Sequence, residues 1–162
     1  MTTETAATRA LAASGIDHTI TEHGPVRSLE EAAAARGVEP SQLLKTMVVR
    51  RGEGDFLLVL VPGDRQISWP KLRALLGVSR LSMPDKDVAL EVTGYERGTI
   101  TPFGARPAPS GDPLPVIADS LIAERPGLVS IGAGAHGLGA TVDPADLVAT
   151  LGAEVADVTE PQ

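Results

Sequence analysis

The stretch LLKTMVVRRGEGDFLLVLV, residues 43–61, decides the fold. Two apolar, β-branched runs, Leu44 to Arg50 and Phe56 to Val61, flank Arg51-Gly52-Glu53-Gly54-Asp55. Strand-length runs joined by a short glycine-bearing segment spell a β-hairpin. Helical patterns lie on both sides of it. A hairpin mixed with helices predicts an α+β domain with a mixed sheet, not a strictly parallel one.

Inside the first run sits Lys45, one of only three lysines in the chain. A strand interior rarely accepts a charge unless a partner or ligand offsets its desolvation. Two readings stand side by side. The stem lies on apolar surface with its ammonium in water, or the ammonium meets an anionic ligand. Some fifty residues on comes Gly98-Thr99-Ile100-Thr101-Pro102-Phe103-Gly104. This glycine-opened, proline-stopped turn is punctuation of the kind any protein uses. It is also a segment that can present backbone N–H groups. A cation with an amide loop can hold a phosphate and a carbonyl oxygen.

Upstream, Thr3 to Ala13 reads as a helix closed by Ser14-Gly15, and His18 to Glu22 as a short strand. Ser28 and Glu31 form a capping-box pattern for a helix that stops at Gly37. Downstream, Ser68 caps a helix carrying Pro70 and ending at Gly77, and Asp85 to Val92 is another. Residues 105–115 contain four prolines and predict an irregular loop. Val116 to Asp119, Leu128 to Ile131, Ala140 to Val142 and Glu154 to Val158 read as strands, with a helix opened by Asp143-Pro144. There is no repeat and no dividing linker, so residues 1–162 are expected to form one domain.

Composition narrows the function. The net charge of −7 argues against a protein that grips DNA or bulk nucleic acid by electrostatics. The charge is uneven: residues 1–43 carry −3, residues 44–107 carry +3 and residues 108–162 carry −7. The basic third contains Lys45 and the Gly98 loop. No cysteine occurs, which excludes disulfides and thiolate chemistry and fits a cytoplasmic location. No leader-like start and no membrane-length apolar run is present, so no membrane partner is expected.

Several familiar motifs fail on context. Gly132-Ala133-Gly134-Ala135-His136-Gly137 is a literal G-x-G-x-x-G, but Gly139 and Thr141-Val142 follow it where a dinucleotide site needs a helix. A glycine-rich turn between strands is the better account. His18, His23 and His136 share no metal-ligand spacing, and no G-x-S-x-G elbow exists. No metal and no cofactor is expected. An enzyme built from these residues would work by positioning and backbone electrostatics.

Leu44-Lys45-Thr46, the loop from Gly98 to Gly104, Asp119 after an apolar strand, and the glycine turn ending Gly137-Leu138 occur in that order. In order and spacing the chain resembles the YbaK-like aminoacyl-tRNA editing domains over residues 10 to 158. That family includes free-standing deacylases and the domain inserted in bacterial prolyl-tRNA synthetases. The resemblance implies a compact α+β fold, a mixed, mostly antiparallel barrel-like sheet flanked by helices. It implies hydrolysis of the ester between a small mischarged amino acid, of Cys or Ala type, and the 3′-terminal adenosine of tRNA, with tRNA for proline first. The implied partners are the aminoacyl-tRNA 3′ end and prolyl-tRNA synthetase.

By the same resemblance, Lys45 contacts the phosphate of the tRNA end. Gly98 and Pro102 frame the G-x-x-x-P loop whose amides meet the substrate carbonyl, with Thr101 in the same catalytic group. Asp119 matches a recurrent aspartate near the pocket. Thr46, Thr99, Ile100, Phe103, Gly132, Gly134 and Gly137 are the expected substrate-binding residues. The chain departs from the family pattern at Thr21, where several relatives carry an aromatic residue, and at Ala135-His136, where two basic residues are common. A rival reading is a non-catalytic module that keeps the fold and binds a nucleotide end, a small ligand or a synthetase. Hydrolysis of another activated ester or amide is a third.

Overall fold

A computed structural model describes residues 3–162; Met1 and Thr2, included in the expected domain, lie outside the described residues. The chain begins with α1 (Ala6–Ser14), β1 (His18–Glu22) and α2 (Leu29–Ala35). The hairpin β2 (Leu44–Gly52) and β3 (Asp55–Pro62) follows, then β4 (Arg65–Ile67), α3 (Trp69–Leu76) and α4 (Lys86–Thr93). After the proline-rich loop come β5 (Val116–Asp119), α5 (Ser120–Glu124), β6 (Val129–Gly132) and β7 (Leu138–Val142). The chain closes with α6 (Pro144–Leu151), β8 (Glu154–Ala156) and β9 (Thr159–Pro161).

The hairpin forms as expected, with Val48 opposite Leu58 and a bulge between Arg50 and Gly52. The bulge lets Arg51 reach back to Asp55, Nε to Oδ2 at 2.9 Å. β3 is central: it pairs antiparallel with β2 and parallel with β5, which pairs parallel with β8. A second sheet runs β1-β7-β6, all antiparallel. A parallel bridge from Leu43 to Ser130 ties the two sheets into one curved wall. The result is the mixed, mostly antiparallel α+β arrangement the sequence implied.

One core explains why the sheets curve together. Leu44 and Leu60 of the first sheet pack with Ile131, Ala140 and Val142 of the second, under Leu11 of α1 and Leu147 of α6. Each such fully buried aliphatic side chain contributes about 1.5–3 kcal/mol of transfer free energy. The far face of the hairpin buries Val49, Val59 and Val61 against Leu72 of α3. Scarcity of aromatics is met by aliphatic packing on both faces of β3, whose Leu57 to Val61 are all buried.

Element ends follow local chemistry. α1 starts three residues later than expected, because Thr5 and Thr8 form a reciprocal capping box. Ser28 caps α2 by accepting from Glu31 N–H, while the Glu31 carboxylate reaches past it to the Arg27 N–H. The expected strand from Glu154 to Val158 stops at Ala156. Ser68 N–H donates to Val158 O, and the chain runs on as β9 against β4, a pair the sequence reading missed.

Candidate active site

A cleft of about 920 Å³ opens at the seam between the two sheets. Its wall is the start of β2, from Leu43 to Val48; its sides come from α2, the approach to α4, the Gly98 turn and the β6–β7 turn. The seam creates the space. Leu43, which bridges to Ser130 across that seam, lies in the wall, with Gly132 at the end of β6.

The expected site residues divide into two groups. Lys45, Thr46, Gly98, Ile100, Gly132 and Gly137 line the cleft. Thr99, Thr101, Pro102, Phe103, Asp119 and Gly134 do not. The second group supports the first from behind. Thr99 N–H and Oγ1 both donate to Glu96 O, at 3.0 and 2.8 Å, and close the turn around Gly98. Thr101 and Phe103 are buried, and the Tyr95 hydroxyl donates to Phe103 O at 2.6 Å. Asp119 is buried at the end of β5, where it accepts from Leu121 N–H and Val158 N–H. It joins α5 to the C-terminal segment.

Lys45 is half-buried, and its ammonium donates to Arg65 O at 2.6 Å. Burial pulls its pKa down, and the Asp64 carboxylate partly offsets this. Asp64 is itself held below the usual carboxylate range by a paired bond to Arg125, at 2.8 and 2.9 Å. An ammonium has three donors, so the bond to Arg65 leaves two. Beside it, Thr46 Oγ1 is buried with no hydrogen-bond partner, the one such side-chain atom among the described residues. Buried polar groups without partners are rare, and one beside a cleft calls for an explanation.

Gly98 has φ +91°, and a Cβ there would meet His136 Cε1 at 3.3 Å. The Gly98 and Ile100 N–H groups take no part in the Glu96–Thr99 turn bonds. Two histidines that the sequence reading treated as ordinary also line the cleft. His136 Nε2 lies 2.9 Å from Glu96 Oε1. His23 Nδ1 faces Gly24 O at 2.9 Å, while its Nε2 accepts from Arg36 Nε at 3.3 Å. No spacing signal marks these residues, because the β1–α2 connection and the β6–β7 turn meet only in the folded chain. Gly137 sits at that meeting, accepting at its oxygen from His23 N–H at 2.8 Å.

The cleft is basic on an acidic protein. Arg27, Arg36, Lys45, Lys86 and Arg97 line it, and the one carboxylate among its lining residues is Asp85. Asp85 is committed to capping α4 through Val88 N–H at 2.9 Å. Low-dielectric walls lined by one sign of charge focus the field on an anion. No aromatic side chain lines the cleft.

An α+β protein whose basic cleft gathers cations and backbone amides is the class these features define. The family profile for the aminoacyl-tRNA editing domain matches residues 23–150, and the chain belongs to that family. Among curated proteins, the proline–tRNA ligase of Bacillus licheniformis is 35% identical over 83 residues, 51% of this chain and 14% of the ligase. That of Thermosipho africanus is 34% identical over 94 residues, 58% of this chain and 16% of the ligase. The chain thus spans about one seventh of the ligases it matches. A crystal structure of a candidate trans-editing enzyme for prolyl tRNA synthetase superposes with a TM-score of 0.84 at 28% identity, covering 98% of this chain and 99% of the other. A hypothetical protein of known structure gives the same TM-score at 27% identity, covering 96% and 100%.

Proposed function

We propose that this protein is an aminoacyl-tRNA deacylase that acts in trans in the cytoplasm, removing a small wrong amino acid of Cys or Ala type from tRNA for proline. The observation that carries the reading is the cleft, where Lys45, Thr46 and the Gly98 turn meet on one basic wall of a net-acidic chain. Likeness to the candidate trans-editing enzyme over nearly the full length of both chains supports the in-trans form. Likeness to proline–tRNA ligases supports the choice of tRNA.

The chemistry suits these residues. An aminoacyl ester is activated, so a positioned water suffices, and the reaction as proposed uses no metal or cofactor. Water adds to the ester carbonyl, and the oxyanion takes hydrogen bonds from amides of the Gly98–Ile100 turn. Collapse breaks the bond to the ribose oxygen, which leaves with the proton lost by the water. Lys45 clamps the adjoining phosphate and holds the carbonyl in near-attack geometry. Thr46 Oγ1 supplies the polar contact that its burial leaves open. Such editing is needed because a synthetase pocket separates small apolar side chains by only about 1–3 kcal/mol.

Deacylation of Cys-, Ala-, Ser- and Pro-loaded tRNA for proline, by wild type and Lys45→Ala side by side, tests the reading. Selective hydrolysis of one mischarged species is expected, with loss in the variant. A wild type that turns over no member of the panel would overturn the proposed activity and leave the binding-module reading in its place.

A further inference from the structure

Arg36 stands at the C-terminal cap of α2 with its side chain turned into the cleft wall. Its guanidinium is half-buried, yet no carboxylate lies within 4 Å of it among the described residues. Nε donates to His23 Nε2 at 3.3 Å, and one Nη1 donor reaches Ser130 Oγ at 3.5 Å. Of five guanidinium donors, three stay uncommitted. The side chain also lies flat over Gly139: a Cβ there would meet Arg36 Nε at 2.7 Å. A residue larger than glycine at that point of β7 would displace it.

These contacts orient the group without neutralising it. His23 turns its Nδ1 toward Gly24 O, which leaves the ring's lone pair at Nε2 facing Arg36. Burial lowers the Arg36 pKa without a compensating acid. A buried cation kept unpaired is costly unless an anion completes it, and a planar fork of donors matches phosphate oxygens in pairs. The Lys45 ammonium, with one donor held by Arg65 O, keeps two as a point charge; Arg36 adds a second, planar set of donors to the same cleft.

We propose that Arg36 is a second anion-recognition residue of the cleft, held in place by His23 and Ser130 and binding a phosphate group of the ligand, which on the deacylase reading is a phosphodiester of the RNA 3′ end. This rests on that reading only for the source of the phosphate.

The test uses a fluorescent RNA hairpin ending in CCA, and the same hairpin with neutral methylphosphonate linkages at its last two positions. Wild type is expected to bind the charged hairpin at least tenfold tighter than the neutral one. Arg36→Gln is expected to weaken on the charged hairpin alone and so to discriminate severalfold less than wild type, the preference that remains resting on Lys45. If Arg36→Gln still discriminates as wild type does, or weakens on both by one common factor, Arg36 is a structural latch and the proposal fails. A wild type that binds neither hairpin would remove the RNA source. Inorganic phosphate titrated against the Arg36 Nε–Hε resonance then decides the site by itself: a saturable shift supports it, and no shift overturns it.

Discussion

Lys45 Nζ donates to the backbone oxygen of Arg65 at 2.6 Å, so the lysine that marks the β2 strand also ties it to the first residue of β4. Two consequences separate. A charge-assisted hydrogen bond contributes roughly 1.5–3 kcal/mol, so Lys45→Ala is expected to lower the melting temperature by several degrees. Loss of the phosphate clamp is expected to reduce ester turnover about a hundredfold. Thermal melts and single-turnover deacylation on the same preparation check both. A folded variant with undiminished turnover would remove Lys45 from the mechanism.

Thr46→Val separates stability from activity in the opposite direction. The valine keeps the shape and deletes a buried hydroxyl that has no partner. Removing an unsatisfied buried group is expected to stabilise by about 1 kcal/mol. Turnover should fall at least tenfold, because the same hydroxyl is offered to the substrate. Denaturant midpoints and kcat/KM decide it. A destabilised variant would mean that the hydroxyl is satisfied in the free protein.

Gly137 has φ +75°, and a Cβ there would come within 2.3 Å of His23 O. Both the left-handed backbone and the contact with main chain oppose any side chain. Gly137→Ala is expected to cost on the order of 2–3 kcal/mol, read as a lower urea midpoint at unchanged m-value. His23 should be displaced with it, and an NMR shift confined to residue 137 would contradict that coupling.

Tyr95 is the chain's one tyrosine, and burial pushes its phenol up to about 12. In the unfolded chain it titrates near 10. The native state therefore holds the proton more tightly than the unfolded state. The resulting stability is complete below about pH 10 and falls away as the pH rises toward 12. Absorbance at 295 nm should show a late phenolate transition, and Tyr95→Phe should flatten the alkaline fall in stability. A titration centred near 10 in folded protein would show that the hydroxyl reaches water.

Much of this was legible in the chain. The hairpin was readable because side-chain period and turn chemistry are local, and they agree in residues 43–61. The helix stops at Gly15 and Gly77 were readable for the same reason: each has positive φ at a C-cap. The β4–β9 pair was not, since three-residue strands carry no period and their pairing spans the chain. In the site, Lys45 and Gly98 stood out as local anomalies. His23, Arg36 and His136 did not, because each is an ordinary polar residue until the β1–α2 connection, α2 and the β6–β7 turn close on one cleft.

By itself the sequence determined the α+β class, the longer helices and strands, and the resemblance that its Lys-Thr pair and G-x-x-x-P loop carry, because these are written in local pattern; the short β4, α5 and β9 were not. Only the tertiary structure decided which residues line the cleft. Thr101, Phe103 and Asp119 lie in the same signals as Gly98 and Ile100, yet they turn into the core or to the end of β5, where burial and backbone hydrogen bonds hold them. Arg36 reaches the cleft from the end of α2 and meets Ser130, whose bridge to Leu43 joins the two sheets. That placement depends on long-range packing, which no local pattern encodes.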